Sequence, residues 1–325
     1  MTDEYVPPSI GRVGEPFFDQ DNNRIKLLST KLFNDLGEIV EEMIPLLEMK
    51  EEEKATRITA RFFYSGEGSE EIIFSHIQNL WRERIWGVQS PGVEAVLEMM
   101  NGFTGMRTLY LGHNNRSRLS PTDVIMQEEE LLRTVLNYER GTLRPLISDF
   151  FIAELTPSSI REGDVERLVN IYSDAFRTYT VDLDESSVKE MIENTTVYVA
   201  RNPEGEIVSV GAAELAEIPI DISDKNIIIS ELSEISTHKD YQNLGLGTNI
   251  TNALIESLNG GVSLLYAEAR ACHGAINTLF RNLGFRYGGR INKHCKLSGR
   301  ERDSDVHEEP PYENLNVWFY SNGGV

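Results

Sequence analysis

The chain has 325 residues, 40% hydrophobic and 26% charged, which is the make-up of a globular protein with room for two domains. Its 31 basic against 52 acidic residues give a net charge of −21, which repels phosphate backbones and argues against a nucleic-acid partner, while biasing the surface toward solubility and cationic ligands. Cys272 and Cys295 make neither a disulfide framework nor a zinc site and suit a reducing cytoplasm, and with no charged-then-apolar leader and no run of about 18 apolar residues, neither membrane nor metal is expected as a partner.

Residues 1–20, with Pro7, Pro8, Gly11, Gly14 and Pro16, read as an irregular lead-in. RIKLLST (24–30) reads as a strand. FNDLGEIVEEMIPLLEMKEEE reads as a helix that Pro45 kinks or ends. ATRITARFFYS (55–65) is β-branched and aromatic, hence a strand; EEIIFSHIQNLWRERI (70–85) is an amphipathic helix; VEAVLEMMNGF (93–103) reads as another helix; MRTLYLGHN (106–114) is a third strand. Residues 21–120 thus form an N-terminal α/β domain, and 121–147, with the charged DVIMQEEELLRTVLNYERG, form a helical connection.

The remainder, 148–325, opens on the strand DFFIAEL (149–155). A capping cluster at Thr156–Ser159 leads into the helix REGDVERLVNIYSDAF, and SSVKEMIEN is a second helix. TTVYVARN and EIVSVGAAELAEI form a hairpin around 202–205, and NIIISELSEIST (226–237) is the next strand. Then comes YQNLGLGT (241–248), a helix over 248–258, a strand over 261–269, a helix over 274–284, and two closing strands, FRYGGRINK and NLNVWFY. Between those last two lies an acidic, proline-bearing insertion over 300–312. The fold class expected is mixed α/β (α+β), a mixed central sheet flanked by helices. The N-terminal alternation reads as a degenerate partial copy of the C-terminal half, which completes an acceptor cleft or makes a homodimer contact.

The glycine stretch sits between strand and helix, where first-turn N–H groups lack partners and the helix dipole is positive, so an anion is favoured there. It spells neither a Walker loop nor a dinucleotide fingerprint. It spells Gln-x-x-Gly-x-Gly, with Gln242, Gly245 and Gly247. Ahead of it, Glu231 and Glu234 are carboxylates in a strand flanked by Ile227 and Ile229. At spacing three they face opposite sides of an ideal strand, unless a bulge brings them together.

These residues resemble the GNAT acyltransferase superfamily, whose pyrophosphate loop is (Gln/Arg)-x-x-Gly-x-(Gly/Ala). The element order over 149–320 is similar too, and Asn277, Gly284 and Phe285 match the family's later Asn and Gly-Phe. More narrowly, the chain resembles the beta-lysine N-acetyltransferase family. The matches are Asn22-Asn23-Arg24-Ile25, Phe176-Arg177-Thr178-Tyr179, Glu231–Glu234, the run Ala269 to Asn277, and Glu313 to Phe319. Lys293-His294-Cys295 stands where that family has Asn-Asn-Thr, and the 300–312 insertion is extra.

The resemblance implies a GNAT fold over 148–325 and acetyl-CoA as co-substrate. It implies that the backbone of 243–248 with Gln242 (that is, Asn243, Leu244, Gly245, Leu246, Gly247 and Thr248) holds the coenzyme pyrophosphate, that Ile235, Ser236 and Thr237 pair with the pantetheine arm, and that Asn277 belongs to the coenzyme site. Glu231, with Glu234 behind it, is the candidate base, and an N–H near Ile235 the candidate oxyanion donor. Phe176 and Tyr179 line the acceptor cleft. Arg270 either clamps a substrate carboxylate or pairs with Glu268 or another acid. Phe280 stands where such enzymes place the tyrosine that protonates the leaving thiolate, which leaves Tyr179, Cys272 and His273 as donors. Trp318, Phe319 and Tyr320 are expected in the core. The expected activity is acetyl transfer to the amine of a small amino-acid-like acceptor, with beta-lysine as the family's own. The alternatives are a polyamine, peptide or antibiotic amine, or a non-catalytic acyl-CoA sensor.

Overall fold

The computed structural model describes residues 10, 12–84, 92–139, 146, 149–176, 184–220, 225–297 and 312–320. Tyr179 and nearly all of the 300–312 insertion lie outside the described residues.

The N-terminal part runs β1 (Phe17–Asp19), β2 (Arg24–Phe33), α1 (Leu36–Glu52), β3 (Arg57–Tyr64), α2 (Glu70–Arg84), β4 (Gly92–Glu98) and β5 (Arg107–Asn114). A 3-10 turn, Arg116–Arg118, leads to α3 (Thr122–Asn137). The second part runs β6 (Phe151–Leu155), α4 (Asp164–Ala175), α5 (Glu185–Asn194), β7 (Thr196–Arg201), β8 (Ile207–Ile218), β9 (Ile227–Thr237), α6 (Leu246–Leu258), β10 (Leu264–Arg270), α7 (Gly274–Asn282), β11 (Arg286–Lys296) and β12 (Tyr312–Tyr320). The mixed α/β class read from the sequence is the class observed. Among the described residues no helix is long and apolar enough to cross a membrane.

All twelve strands share one sheet, ordered β1-β2-β3-β5-β4-β11-β12-β10-β9-β8-β7-β6. Only β2–β3 and β9–β10 are parallel. The two parts meet at β4 and β11, through the pair Ala95 and Gly289. Gly289 has φ +144, and a Cβ there would lie 2.1 Å from the Glu94 carbonyl oxygen, so only glycine lets the strands approach. A core crosses this seam: Leu28, Phe63, Leu97 and Tyr110 pack in one cluster with Ile229, Tyr266, Val317 and Phe319. Trp318 and Phe319 are buried, as the sequence suggests, and Tyr320 is half-buried.

Three expectations are corrected. Residues 93–103 are not a helix: β4 occupies Gly92–Glu98. It is paired on both sides and buries the consecutive residues Ala95, Val96 and Leu97, so the alternation that marks a half-buried strand is lost and the apolar run mimics a helix. Thr156–Ser159 does not cap α4. It closes its own turn, with Ser159 N–H donating to the Thr156 carbonyl at 2.9 Å, and the helix starts after Gly163 in the left-handed region (φ 83). Of the two roles expected of Pro45, to kink or to end the helix, ending is excluded: α1 continues to Glu52 with the proline on its exposed face.

Gly289→Ala is expected to lower unfolding stability by about 2–4 kcal/mol, through strain and the clash at the seam. Urea unfolding followed by far-UV circular dichroism measures it. Superimposable curves for the two proteins would mean that the seam tolerates a wider gap.

Candidate functional site

β9 begins as an apolar strand and becomes polar while still buried: Ser230, Glu231, Glu234 and Ser236 are all buried. Its register with β8 slips between the pairs Ala212–Ser233 and Val210–Ser236, so three steps on β9 face two on β8. Glu234 sits in the left-handed region, at φ 50. This bulge re-aims the strand, and Glu231 and Glu234 come to line the same cleft despite their spacing.

On its other side β9 pairs in parallel with β10 from Ile229–Leu264 only as far as Glu231–Tyr266. Beyond that the strands part, β10 continuing against β12 and β9 against β8. The cleft, of about 1050 Å³, opens between them. The edge of β9 that faces it, residues 232–237, has no β10 partner.

At the end of β9 a 3-10 turn, Lys239–Tyr241, leads into the glycine loop. Asn243 (φ 63) and Gly245 (φ 78) both take left-handed conformations, which turn the chain into α6. The first helical bond runs from Asn249 N–H to the Gly245 carbonyl at 3.0 Å, so the N–H groups ahead of it have no partner within the helix. They lie at the dipole's positive end beside Lys239, on the cleft wall. Leu246 is buried and Leu244 packs on the same core, so the loop is anchored from behind. The cleft's volume, its unpaired strand edge and this anion-favouring turn suit a large co-substrate carrying a pyrophosphate and an amide-bearing arm.

The opposite end of the cleft holds a buried polar network. The Tyr266 hydroxyl donates to Glu231 Oε2 at 2.6 Å and accepts from Arg61 Nη1 at 2.6 Å. Arg61 Nη2 donates to Glu268 Oε1 at 2.9 Å, and His294 Nε2 lies 3.5 Å from Glu268 Oε2. Burial pushes the Glu231 carboxyl up to about 8, with the charges of Glu268 and of Glu214, its cross-strand neighbour on β8, in the same direction, against Arg61 and the Tyr266 hydrogen bond. Burial, helped by Arg24, Arg57, Lys26 and Arg61, holds His294 well below its usual range, so the imidazole is neutral. Burial, with Arg24 and Arg61 nearby, likewise brings Lys26 down to about 7.

Arginines of the N-terminal part hold one wall of this end. β11 is irregular between Ile291 and Cys295, with Lys293 at φ 48. The carbonyl of Asn292 accepts from Arg57 Nη1 at 2.7 Å, that of Lys293 from Arg118 Nε at 2.7 Å, and that of His294 from both Arg118 Nη2 (2.8 Å) and Arg24 Nη1 (3.1 Å). His294 and Cys295 thereby face the cleft.

Of the residues singled out in the sequence, Glu231, Glu234, Phe176, Arg270, 235–237, 242–243 and 245–248 line the cleft, as does His273. Leu244 packs into the core instead. Asn277 is fully buried. Its amide donates to the carbonyls of Arg270 (2.9 Å) and His273 (2.6 Å), and its oxygen accepts from Asn316 and Trp318, so it braces the turn into α7 and is not exposed to a coenzyme. Arg270 is held two-pronged by Glu313, the Nε bond being 2.5 Å, and Glu268 belongs to Arg61. Burial, then Glu313, pushes the Cys272 thiol up to about 11. Phe280 is buried against Phe285, ring centroids 5.2 Å apart.

The sequence reading named Arg24, Glu268 and His294 without giving them a place on the cleft wall, and it missed Arg61 and Tyr266 behind it. The signal was present: Arg24, Lys26, Arg57 and Arg61 interrupt otherwise apolar strands, and buried charges gather where they have partners.

No family model matches the chain. Over 161 residues it is 24% identical to a beta-lysine N(6)-acetyltransferase of Methanococcus maripaludis, covering 49% of this chain and 52% of that protein. Over 223 residues it is 21% identical to N-acetyltransferase YodP of Bacillus subtilis, covering 66% of this chain and 72% of that protein. The chain thus spans about half the length of the beta-lysine relative. Among solved structures, a GNAT family acetyltransferase from Elizabethkingia anophelis with acetyl-CoA bound is similar at 13% identity and a TM-score of 0.36, covering 54% of this chain and 99% of that one. The resemblance read from the motifs and the proteins found by comparison are of one kind.

A protonated-carboxyl infrared band is expected at about pH 6, titrating away with a midpoint near 8 and absent in Glu231→Gln. A difference spectrum with no such band would mean that Glu231 is ionised throughout.

Proposed function

We propose that the protein is an N-acetyltransferase that moves an acetyl group from acetyl-CoA to the amine of a small amino-acid-like acceptor by direct attack in a ternary complex. The observation that carries this reading is Glu231, buried, braced by Tyr266 and set at the point where β9 and β10 separate. The names of the relatives supply the reaction class, and beta-lysine enters as an acceptor from one of them.

In the reaction the N–C amide bond forms and the thioester C–S bond breaks; an ammonium acceptor gives up two protons in all, one before it attacks and one as the tetrahedral intermediate collapses, and one of the two ends on the coenzyme thiolate. A lysine-type ammonium, with a pKa of about 10.4, is unreactive at neutral pH, so a base is required. Glu231 takes the first of these protons, the one that frees the amine to attack. A carboxylate raised to about 8 is a far better base than an exposed one, and Tyr266 and Arg61 keep its oxygen aimed. The ammonium, arriving beside Glu231 and Glu268, also favours the ionised form of the base. The N–H near Ile235, at the bulge, is the donor for the developing oxyanion. The turn at 243–248 holds the pyrophosphate, and the free edge of β9 takes the arm.

One observation favours a second reading, a non-catalytic acyl-CoA sensor: Phe280 brings no hydroxyl to the leaving sulfur. A sensor, however, has no use for a desolvated carboxylate in its cleft.

Thiol release from acetyl-CoA against a panel of beta-lysine, lysine, ornithine, polyamines and short peptides tests the reading. Release with at least one amine is expected; coenzyme binding with no release for any would establish the sensor. With an active acceptor, kcat/KM should rise with pH through about 8, because the carboxylate is the working form. Glu231→Gln should abolish that limb and cost about 100-fold or more in kcat with coenzyme affinity kept; an unchanged profile removes Glu231 as base.

Gly245→Val puts a β-branched residue at φ 78 and crowds the turn, so calorimetry should show acetyl-CoA affinity falling at least ~10-fold. Unchanged affinity in a folded variant sinks the assignment of the loop.

A further inference from the structure

Arg24 lies on β2, outside the acyltransferase half, yet it lines the same cleft as Glu231, Glu268 and His294. It is 2% exposed. Its Nε donates to Asp19 Oδ2 at 2.7 Å and its Nη1 to the His294 carbonyl at 3.1 Å. Nη2 has no hydrogen-bond partner among the described residues. A guanidinium is a rigid fork of five donors, so two fixed bonds set its plane and leave the remaining donors aimed.

The surroundings favour an anion at that point. Arg57, Arg61 and Lys26 are buried close by, and the nearest acids are already engaged: Asp19 holds Arg24 from behind, and Glu268 is bonded to Arg61 and faces His294. The low position of Lys26, about 7, reflects burial and then the positive charge of Arg24 and Arg61. A compact anion entering from the cleft offsets that positive charge.

We propose that Arg24 is the acceptor's anion anchor: it takes the carboxylate of the incoming amine-bearing molecule while the reacting amine lies at Glu231. This rests on the acetyltransferase reading above and makes the N-terminal part a specificity element of the site. Amines without a carboxylate, such as polyamines, bind poorly for want of a partner to Arg24.

The test compares lysine with lysinamide, and beta-lysine with its carboxamide, as acceptors in wild type, Arg24→Gln and Arg24→Lys, with acetyl-CoA calorimetry and thermal unfolding on each variant. In wild type kcat/KM favours the carboxylate by on the order of 10- to 100-fold. In Arg24→Gln the preference collapses toward unity, chiefly through KM, and Arg24→Lys restores part of it. Equal losses for carboxylate and carboxamide in Arg24→Gln would show that the residue only braces His294, and overturn the proposal. So would a wild type indifferent to the carboxylate. Should Arg24→Gln not fold, the wild-type ratio and Arg24→Lys decide. A wild type that transfers to no amine brings down the acetyltransferase reading itself, a different result from transfer without carboxylate preference.

Discussion

The parting of β9 and β10 after the Glu231–Tyr266 pair is the constraint on which the rest of the site depends. Two parallel strands held in register leave no room between them. The bulge at Glu234 supplies the extra residue that turns β9 away. One local event therefore does three things: it opens the cleft, it frees one edge of β9, and it brings Glu231 and Glu234 to one wall. The left-handed Glu234 is a strained position for a non-glycine residue, and such strain persists only where surrounding structure over-determines it. Here β8 grips the strand on both sides of the bulge.

The buried charges set a second condition. Arg24, Arg57, Arg61, Lys26, Glu231 and Glu268 are costly to bury, and removing one partner of such a network leaves an uncompensated charge. Well-packed apolar residues would fill the same space at less cost. What the network gains is placement. Three arginines reach across the seam to the carbonyls of 292–294, and a fourth reaches Tyr266 and Glu268. The N-terminal part thus reaches the site through guanidinium bonds to backbone, supported by the apolar core that crosses the seam. Gly289 is what allows that approach.

How much of this could be read in the sequence follows from which signals are local. Strand–turn–helix at the glycine loop is local, and so is the polar turn of β9; both stand out against apolar neighbours. The bulge is not: nothing in SELSEIST states that Glu231 and Glu234 end on one wall, because that depends on β8 opposite. β4 is misread because a doubly paired strand loses its alternation. Asn277 is recognisable as a special residue, but its work, bracing Arg270, His273, Asn316 and Trp318, depends on tertiary partners. Arg24 and Arg61 lie more than 200 residues from Tyr266, Glu268 and His294, a separation that no spacing rule spans.

The asymmetry between Glu231 and Phe280 has a chemical logic. In the proposed reaction the acceptor's ammonium, with a pKa near ~10.4, stands several units above neutral pH, whereas a thiol near ~8.5 stands little above it. Activating the nucleophile is thus the harder proton transfer, and a weakly basic thiolate departs without full protonation. The wall on that side includes His273 and the start of α7, whose first-turn N–H groups and dipole favour negative charge. In the proposed reaction, a buried five-residue network around Glu231 and an aromatic ring at Phe280 would put the electrostatics where the free-energy gap is larger. On the same reading the acceptor would be selected at the Glu231 end, among the arginines, and the sulfur end would rely on the start of α7 and on packing.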